Sequence, residues 1–170
     1  MTAENPGVIM NLNIRPFRIT DIDRVLEISA LAWAPIFESF RHILGDSLFA
    51  IVNPDHRESQ LRGIAAVCKG KDEWNTWIAE LDSMVVGFVT FKLDHTTKIG
   101  ILGYNAVHPE HQNMGIAAKM YELALGKLKD GGMIAANVGT GGDPSHAPAR
   151  RAYEKVGFTG LPLVNYYKKL

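Results

Sequence analysis

Cysteine occurs once in this chain, at position 68, so neither an intramolecular disulfide nor a cysteine-based metal site can form. With no histidine beside it and no helix start to lower its pKa, Cys68 reads as a small buried hydrophobe. Excess charge is missing too. Eighteen Lys and Arg balance eighteen Asp and Glu, which leaves no bulk field to draw in nucleic acid or an anionic membrane. No apolar run reaches the roughly 18 residues that a membrane-spanning helix needs. The first residues, Met1 to Gly7, lack the basic start and apolar stretch of a secretory signal. These absences lead to the expectation of a cytoplasmic protein without nucleic-acid or membrane partners. Repeats, low-complexity segments and linkers are also lacking. The 170 residues, 46% apolar, read as one domain over 1–170 with a flexible start at 1–9.

What is present is an order of strand-period and helix-period patterns. Met10, Leu12 and Ile14 alternate as in a first strand that Pro16 closes. Thr20 or Asp21 is placed to cap a helix with the buried stripe Ile22, Val25, Leu26, Ile28 and Leu31 to Trp33. Pro35 ends or kinks that helix, and a second stretch through Ile36, Phe37, Phe40 and Ile43 stops at Gly45. A third, begun by Pro54 and Asp55, carries Leu61, Ile64, Ala65 and Cys68 on one side. Glu73–Glu80, Met84–Leu93 and Lys98–Val107 read as three strands, most simply an antiparallel meander. Next come an amphipathic helix over Gly115–Lys129, a buried strand at Met133–Val138 and a Gly-rich loop at 139–142. A helix from about His146 to Val156 and one or two strands within Leu161–Lys168 complete a mixed α/β architecture around a central sheet.

Ala106 to Ala118 runs from strand through turn into the opening of a helix. The first amides of a helix lack intrahelical partners and carry about half a positive charge between them, so they can cradle a phosphate. Gly115, Ala117 and Ala118 leave room for phosphate oxygens. Alone, the pattern fits a tight bend equally well. It has neither the Gly-Lys-Ser/Thr ending of a P-loop nor a full Gly-x-Gly-x-x-Gly.

In context the pattern gains meaning. Gln112-x-x-Gly115-x-Ala117 resembles the Gln/Arg-x-x-Gly-x-Gly/Ala signature of the GNAT superfamily of N-acetyltransferases, and it follows a Val107-x-Pro109-Glu110 that is common there. Further on, Ala149-x-x-x-Tyr153-Glu154-Lys155-x-Gly157-Phe158 resembles the family's second motif, on the helix after the next strand. The resemblance covers the chain from about Ile14 onward.

That resemblance implies a mostly antiparallel sheet, flanked by helices, that splays where the pantetheine arm of acetyl-coenzyme A lies between two strands. It implies acetyl-CoA as co-substrate and no metal. Backbone groups of Asn105, Ala106 and Val107 would pair with the arm, and Gln112, Asn113, Met114, Gly115, Ile116, Ala117 and Ala118 would form the pyrophosphate turn. His146 stands where relatives often carry an asparagine on the arm, and Tyr153 matches the family tyrosine that protonates the departing thiolate. Met114 occupies a place where a basic residue is common; Lys119, Arg150 and Arg151 either compensate or form a solvated face.

The base is not marked. The strand where relatives place a glutamate has no carboxylate here, which leaves Glu80, His108, His146 or a water held by Tyr104 or Asn105. Trp33, Phe37, Phe40 and His42, with Tyr104, indicate an acceptor side for a primary amine, of a small molecule or peptide, that carries an apolar portion. Homodimers are common in the family. Two other readings stand beside catalysis: an acyl-CoA-binding or sensory domain without chemistry, and a nucleotide site on Gly139-x-Gly141-Gly142, where Pro144 replaces the third glycine.

Overall fold

The structure is a computed structural model that describes residues 11–170; Met10 and the expected flexible start at 1–9 lie outside the described residues. Five strands and four α-helices follow one another as β1 (Leu12–Pro16), α1 (Ile22–Val52), α2 (His56–Cys68), β2 (Asn75–Leu81), β3 (Met84–Asp94), β4 (Ile99–Val107), α3 (Ile116–Asp130), β5 (Ala135–Val138) and α4 (Ala147–Lys155). The strands form one sheet in sequential order; β1 to β4 are antiparallel neighbours, as expected of a meander, and β5 joins β4 in parallel. Local chemistry sets these connections. Asp82 and Ser83 both take positive φ, +49° and +69°, the form of a two-residue turn whose twist suits a hairpin. The parallel step needs a crossover, which α3 supplies.

Each face of the sheet carries its own core. Val89, Phe91, Leu102, Val107, Met120, Leu128 and Tyr153 pack beneath α3 and α4, whereas Val25, Ile28, Ile64, Ile78, Phe88 and Ala106 pack beneath α1 and α2. Cys68 is buried in the second core, and burial pushes its thiol up to about 11, so it is an inert hydrophobe.

The pairing of β3 with β4 is interrupted in the middle. Val89 faces Asn105 and Phe91 faces Leu102, so Gly103 and Tyr104 together oppose Thr90. This is a β-bulge, and an extra residue sends every later side chain to the opposite face. Thr90 Oγ1 closes it by donating to the Tyr104 carbonyl at 3.0 Å. Glycine is required at 103 because a Cβ there would stand 2.5 Å from the Trp74 ring and 2.7 Å from Thr90 Oγ1. As a result Leu102 and Val107, an odd number of residues apart, share one core, while Ala106 joins the other. β5 pairs only from Ala135, opposite Ile99, to Val138, opposite Leu102. Beyond the bulge the parallel strands part, and Gly103–Val107 has no partner on that side among the described residues.

Four sequence expectations change. Pro35 does not end its helix: α1 runs through it, and the non-helical residue is Gly45 (φ 73°, ψ 154°). Asp21 precedes α1 without capping it, because its carboxylate accepts from the Arg18 amide at 2.7 Å and from both Arg15 Nη atoms at 2.8 Å. The run from Met133 to Val138 is not a buried strand. Only Ala135–Val138 is extended, at the outer edge, and Ile134 is 83% exposed. Leu161–Lys168 forms no strand; Leu161, Leu163 and Tyr166 are exposed.

Gly103→Ala drives a methyl group into the Trp74 ring and is expected to cost about 1–3 kcal/mol, the range for overpacking. Thr90→Val removes the donor to the Tyr104 carbonyl and is expected to cost about 1–2 kcal/mol. Urea unfolding checks both; a loss below about 0.5 kcal/mol for Gly103→Ala means that the bulge does not depend on its glycine.

Candidate active site

The parted strands open onto a cavity of about 990 Å³. Its walls are Leu102–Val107 of β4, the turn and first residues of α3, the loop after β5, α4 through Tyr153, and Ala32, Trp33, Pro35 and Ile36 of α1. A second cavity of about 490 Å³, lined by Phe37, Phe40, His56 and Gln60, adjoins it; Trp33, Ile36, Tyr104 and His146 line both. Gly63 of α2 makes room for Tyr104, since a Cβ there would stand 2.9 Å from its hydroxyl.

At the floor of the larger cavity lies a polar cluster in an apolar core. The bulge turns Asn105 toward α3 and α4, where its Oδ1 accepts from Tyr121 Oη at 2.7 Å and its Nδ2 donates to Tyr153 Oη at 3.1 Å and to the Gly103 carbonyl at 2.9 Å. The two phenol rings lie 4.9 Å apart. Burial pushes both phenols above their ordinary value near 10. For Tyr153, hydrogen bonds with Asn105 and Tyr121 work against that burial; for Tyr121, Tyr153 adds to it.

The turn into α3 holds two left-handed residues, Asn113 (φ 62°) and Gly115 (φ 80°). The first bond of the helix runs from the Lys119 amide to the Gly115 carbonyl at 3.2 Å, so the amides of Ile116, Ala117 and Ala118 have no intrahelical acceptor. Gln112 Nε2 donates to the Val107 carbonyl at 3.1 Å and ties the turn to the end of β4. His108 caps the preceding turn, its Nδ1 accepting from the Glu110 amide.

Of the residues read from sequence, Asn105, Ala106, Val107, Gln112, Asn113, Gly115, Ile116, Ala117, Ala118, His146, Tyr153, Trp33 and Tyr104 line the larger cavity, and Phe37 the smaller. Met114 points elsewhere and is 39% exposed. Glu80 lines neither cavity. Its carboxylate accepts from Arg15 Nη2 at 2.6 Å and Nε at 2.9 Å, and this guanidinium holds its pKa below the usual carboxylate range. The pair ties β1 to β2 and leaves no free base. His42 is exposed and away from both cavities, and His108 lines neither. Arg150 anchors the Gly-rich loop by donating to the Gly141 and Asp143 carbonyls, and Lys119 pairs with Glu122 at 3.2 Å; Arg151 and Lys155 line the cavity. Sequence reading missed Tyr121 and Asp143. Tyr121 is buried on α3 in the structure, and nothing in one chain's pattern marks its hydroxyl. Among the described residues no group of three or more His, Cys, Asp or Glu is placed to hold a metal, and no helix is long and apolar enough to cross a membrane.

A sheet that splays beside a phosphate-type turn defines an acyl-transferase architecture. The model of the Acetyltransferase (GNAT) family matches residues 37–158. The chain belongs to this family of N-acetyltransferases, whose members draw the acetyl group from acetyl-CoA. No curated protein matches the chain. Among solved structures it is similar to aminoglycoside N-acetyltransferase AAC(6')-Iy in complex with CoA, at 16% identity over 96% of this chain and 97% of that one, with a TM-score of 0.64. It is also similar to the PaiA N-acetyltransferase of Thermoplasma acidophilum in complex with coenzyme A (18% identity, 88% and 91% covered, TM-score 0.65). A third is aminoglycoside 6'-N-acetyltransferase AAC(6')-Ih of Acinetobacter baumannii (16% identity, 94% and 99% covered, TM-score 0.63). At such identities the likeness shows the fold.

The two phenols fix the sign of alkaline stability. Both hold their protons more tightly folded than unfolded, so their contribution is complete below about pH 10 and is lost as pH rises through the folded values. Tyr121→Phe removes one of them. Between about pH 10 and about pH 11.5, wild-type unfolding free energy is expected to fall more steeply than that of Tyr121→Phe, as read by urea titration at each pH. Equal slopes would show that burial does not hold the Tyr121 proton.

Proposed function

We propose that the cleft beside β4 binds acetyl-CoA, that Tyr153 is the acid for its departing sulfur, and that the acceptor is a primary amine with an apolar or aromatic portion. The working unit is the whole chain, 1–170. The observation that carries this reading is the parting of β4 from β5 at the bulge, which opens the backbone edge of Gly103–Val107 to a large cavity bounded by the start of α3 and by Tyr153.

The residues present fit that ligand. Ile116, Ala117 and Ala118 offer amides at a helix start; the Ile116 side chain is buried in the core, and the two alanines are too small to obstruct a diphosphate. Gly115 supplies the left-handed turn, Asn113 and Met114 lead into it, and Gln112 fixes it to β4. Arg151 and Lys155 add positive charge along the cleft. The edge of Asn105, Ala106 and Val107 can bond the arm as an added strand would.

When bound, acetyl-CoA supplies an electrophilic carbonyl on a thiolate leaving group. Tyr153 is arranged to protonate that sulfur. Tyr153 Oη lies 3.1 Å from Asn105 Nδ2, which donates to it, and 3.4 Å from Asn105 Oδ1, whose shorter bond is with Tyr121 Oη at 2.7 Å, so the Tyr153 hydrogen can turn either to Asn105 or to the cleft. Burial keeps this phenol neutral through the physiological range, as an acid must be.

The second cavity supports this choice of acceptor. Trp33, Phe37, Phe40, Tyr104 and His56 supply rings, and among the described residues no Asp or Glu lines either cavity. An aminoglycoside, the polycationic substrate class named for two of the similar structures, calls for carboxylates that are not there. One ammonium group over aromatic faces suits the site better.

Calorimetric titration with CoA and a thiol-release assay over a panel of amines test this reading. CoA is expected to bind, and amines bearing an aryl or alkyl group to be acetylated with kcat/KM about tenfold or more above aminoglycosides. Tyr153→Phe is expected to lower kcat about 100-fold with CoA affinity retained. Binding of CoA without thiol release from any amine leaves a non-catalytic acyl-CoA-binding domain and ends the catalytic reading.

A further inference from the structure

An acceptor amine reaches the cleft at neutral pH as an ammonium ion and must lose a proton before it can attack. A base for that step has to reach donor and acceptor together. Among the described residues four line both cavities, Trp33, Ile36, Tyr104 and His146, and of these four His146 alone carries a basic nitrogen. We infer that His146, oriented by Asp143, is the base that deprotonates the acceptor amine. This rests on reading the cleft as the acetyl-CoA site, and it moves His146 from a contact on the cofactor arm to the acceptor side.

The geometry of the dyad supports the assignment. His146 Nδ1 lies 2.5 Å from Asp143 Oδ1, so the carboxylate fixes the tautomer and leaves Nε2 as the lone pair. Asp143 Oδ2 in turn accepts from Ser39 Oγ of α1 at 2.7 Å, from the Ser145 amide at 3.1 Å and from the Ser145 hydroxyl. Burial alone pushes this carboxyl up, yet bonds from Ser145, Ser39 and His146 hold it down at about 2. Phe40, next to Ser39 on α1, stacks on the imidazole with centroids 5.6 Å apart. A Cβ on Gly141 would stand 2.4 Å from His146 Nδ1 and 2.5 Å from Asp143 Oδ1, so the bare backbone there is what lets the pair close.

Other titratable and charged groups approach from each neighbouring element. His56 comes from α2, Tyr104 from β4, Tyr153, Arg151 and Lys155 from α4, and His111 from the turn before α3; Arg150 lies behind Asp143 on its backbone carbonyl. His56 lines only the acceptor cavity and His111 only the larger one.

The step balances. His146 Nε2 takes one proton from the ammonium group, and the freed lone pair forms the C–N bond as the C–S bond breaks. Tyr153 gives its proton to sulfur, and the second proton shed by nitrogen restores the Tyr153 hydroxyl. The imidazolium releases its proton to solvent, so one ammonium and one thioester yield one amide, one thiol and one proton.

The test is the pH profile of kcat at saturating acetyl-CoA and amine, beside CoA affinity by calorimetry, for wild type, His146→Gln, His146→Ala and Asp143→Asn. Wild type is expected to lose activity on the acid side with one group. His146→Gln is expected to lower kcat about 100-fold or more and to abolish that limb while CoA affinity stays within about threefold. Added imidazole restores part of the rate to His146→Ala, and Asp143→Asn lowers kcat with CoA affinity retained because the imidazole loses the carboxylate that orients it. His56→Gln and His111→Gln keep the limb. An unchanged acid limb in His146→Gln overturns the assignment. So does a loss confined to CoA affinity, which would make His146 a contact on the cofactor arm. Wild-type protein that binds no CoA or transfers to no amine overturns the underlying reading as well, so the two failures are told apart.

Discussion

The hydrogen bond from Thr90 Oγ1 to the Tyr104 carbonyl, closing the bulge in β4, is the constraint on which the site depends. In an unbroken strand Leu102, Tyr104 and Ala106 would share a face. With the bulge, Leu102, Asn105 and Val107 look toward α3 and α4, while Tyr104 and Ala106 look toward α1 and α2. The same irregularity ends the pairing with β5 at Leu102. One inserted residue therefore opens the cleft and chooses the side chains at its floor. Gly103 answers to sterics alone, since Trp74 and Thr90 occupy the space of its absent Cβ.

Each polar group at the floor has an assigned partner. Asn105 shares its amide among the Gly103 carbonyl and two phenols, with Oδ1 2.7 Å from Tyr121 Oη and 3.4 Å from Tyr153 Oη. Gln112 donates one Nε2 hydrogen to the Val107 carbonyl and so positions the backbone of the turn against β4. Met114 in place of a basic residue then has a physical explanation. In the proposed reading, binding by oriented amides asks little of the side chain at that point, and the methionine is 39% exposed.

Much of this was legible in one sequence, for reasons that can be stated residue by residue. The meander strands showed because Val, Ile, Phe and Trp crowd between short polar turns, and α3 because its apolar stripe runs uninterrupted to Gly131. Gly115 and Tyr153 could be placed because each sits in a motif whose element type the pattern already gave. The bulge was not legible, because Gly103 followed by Tyr104 has the composition of an ordinary strand; the clash that demands glycine comes from Trp74 and Thr90, both distant in the chain. Glu80 looked like a base because a carboxylate at a strand end carries no mark of the Arg15 pairing across β1. Leu161 to Lys168 alternated like a strand, yet alternation supplies a propensity and not a partner, and no neighbouring strand receives it.

Tyr153 and His146 line the same cleft, and each is held by a different part of the fold. Tyr153 is sunk in the core beneath α3 and α4, bonded through Asn105, which the bulge turns that way. His146 leans on Phe40 of α1, and its carboxylate partner is held by Ser39 of the same helix. In the proposed reading the donor side thus rests on the core beneath α3 and α4 and the acceptor side on α1 and α2, with Tyr153 and His146 lining one cleft between them. Such a division lets α1 and α2 change with the acceptor while the turn at Gly115 and the tyrosine pair stay fixed. It also accounts for the uneven legibility of the site, because the donor must suit one unvarying cofactor and the acceptor half answers to a substrate that the chain alone does not name.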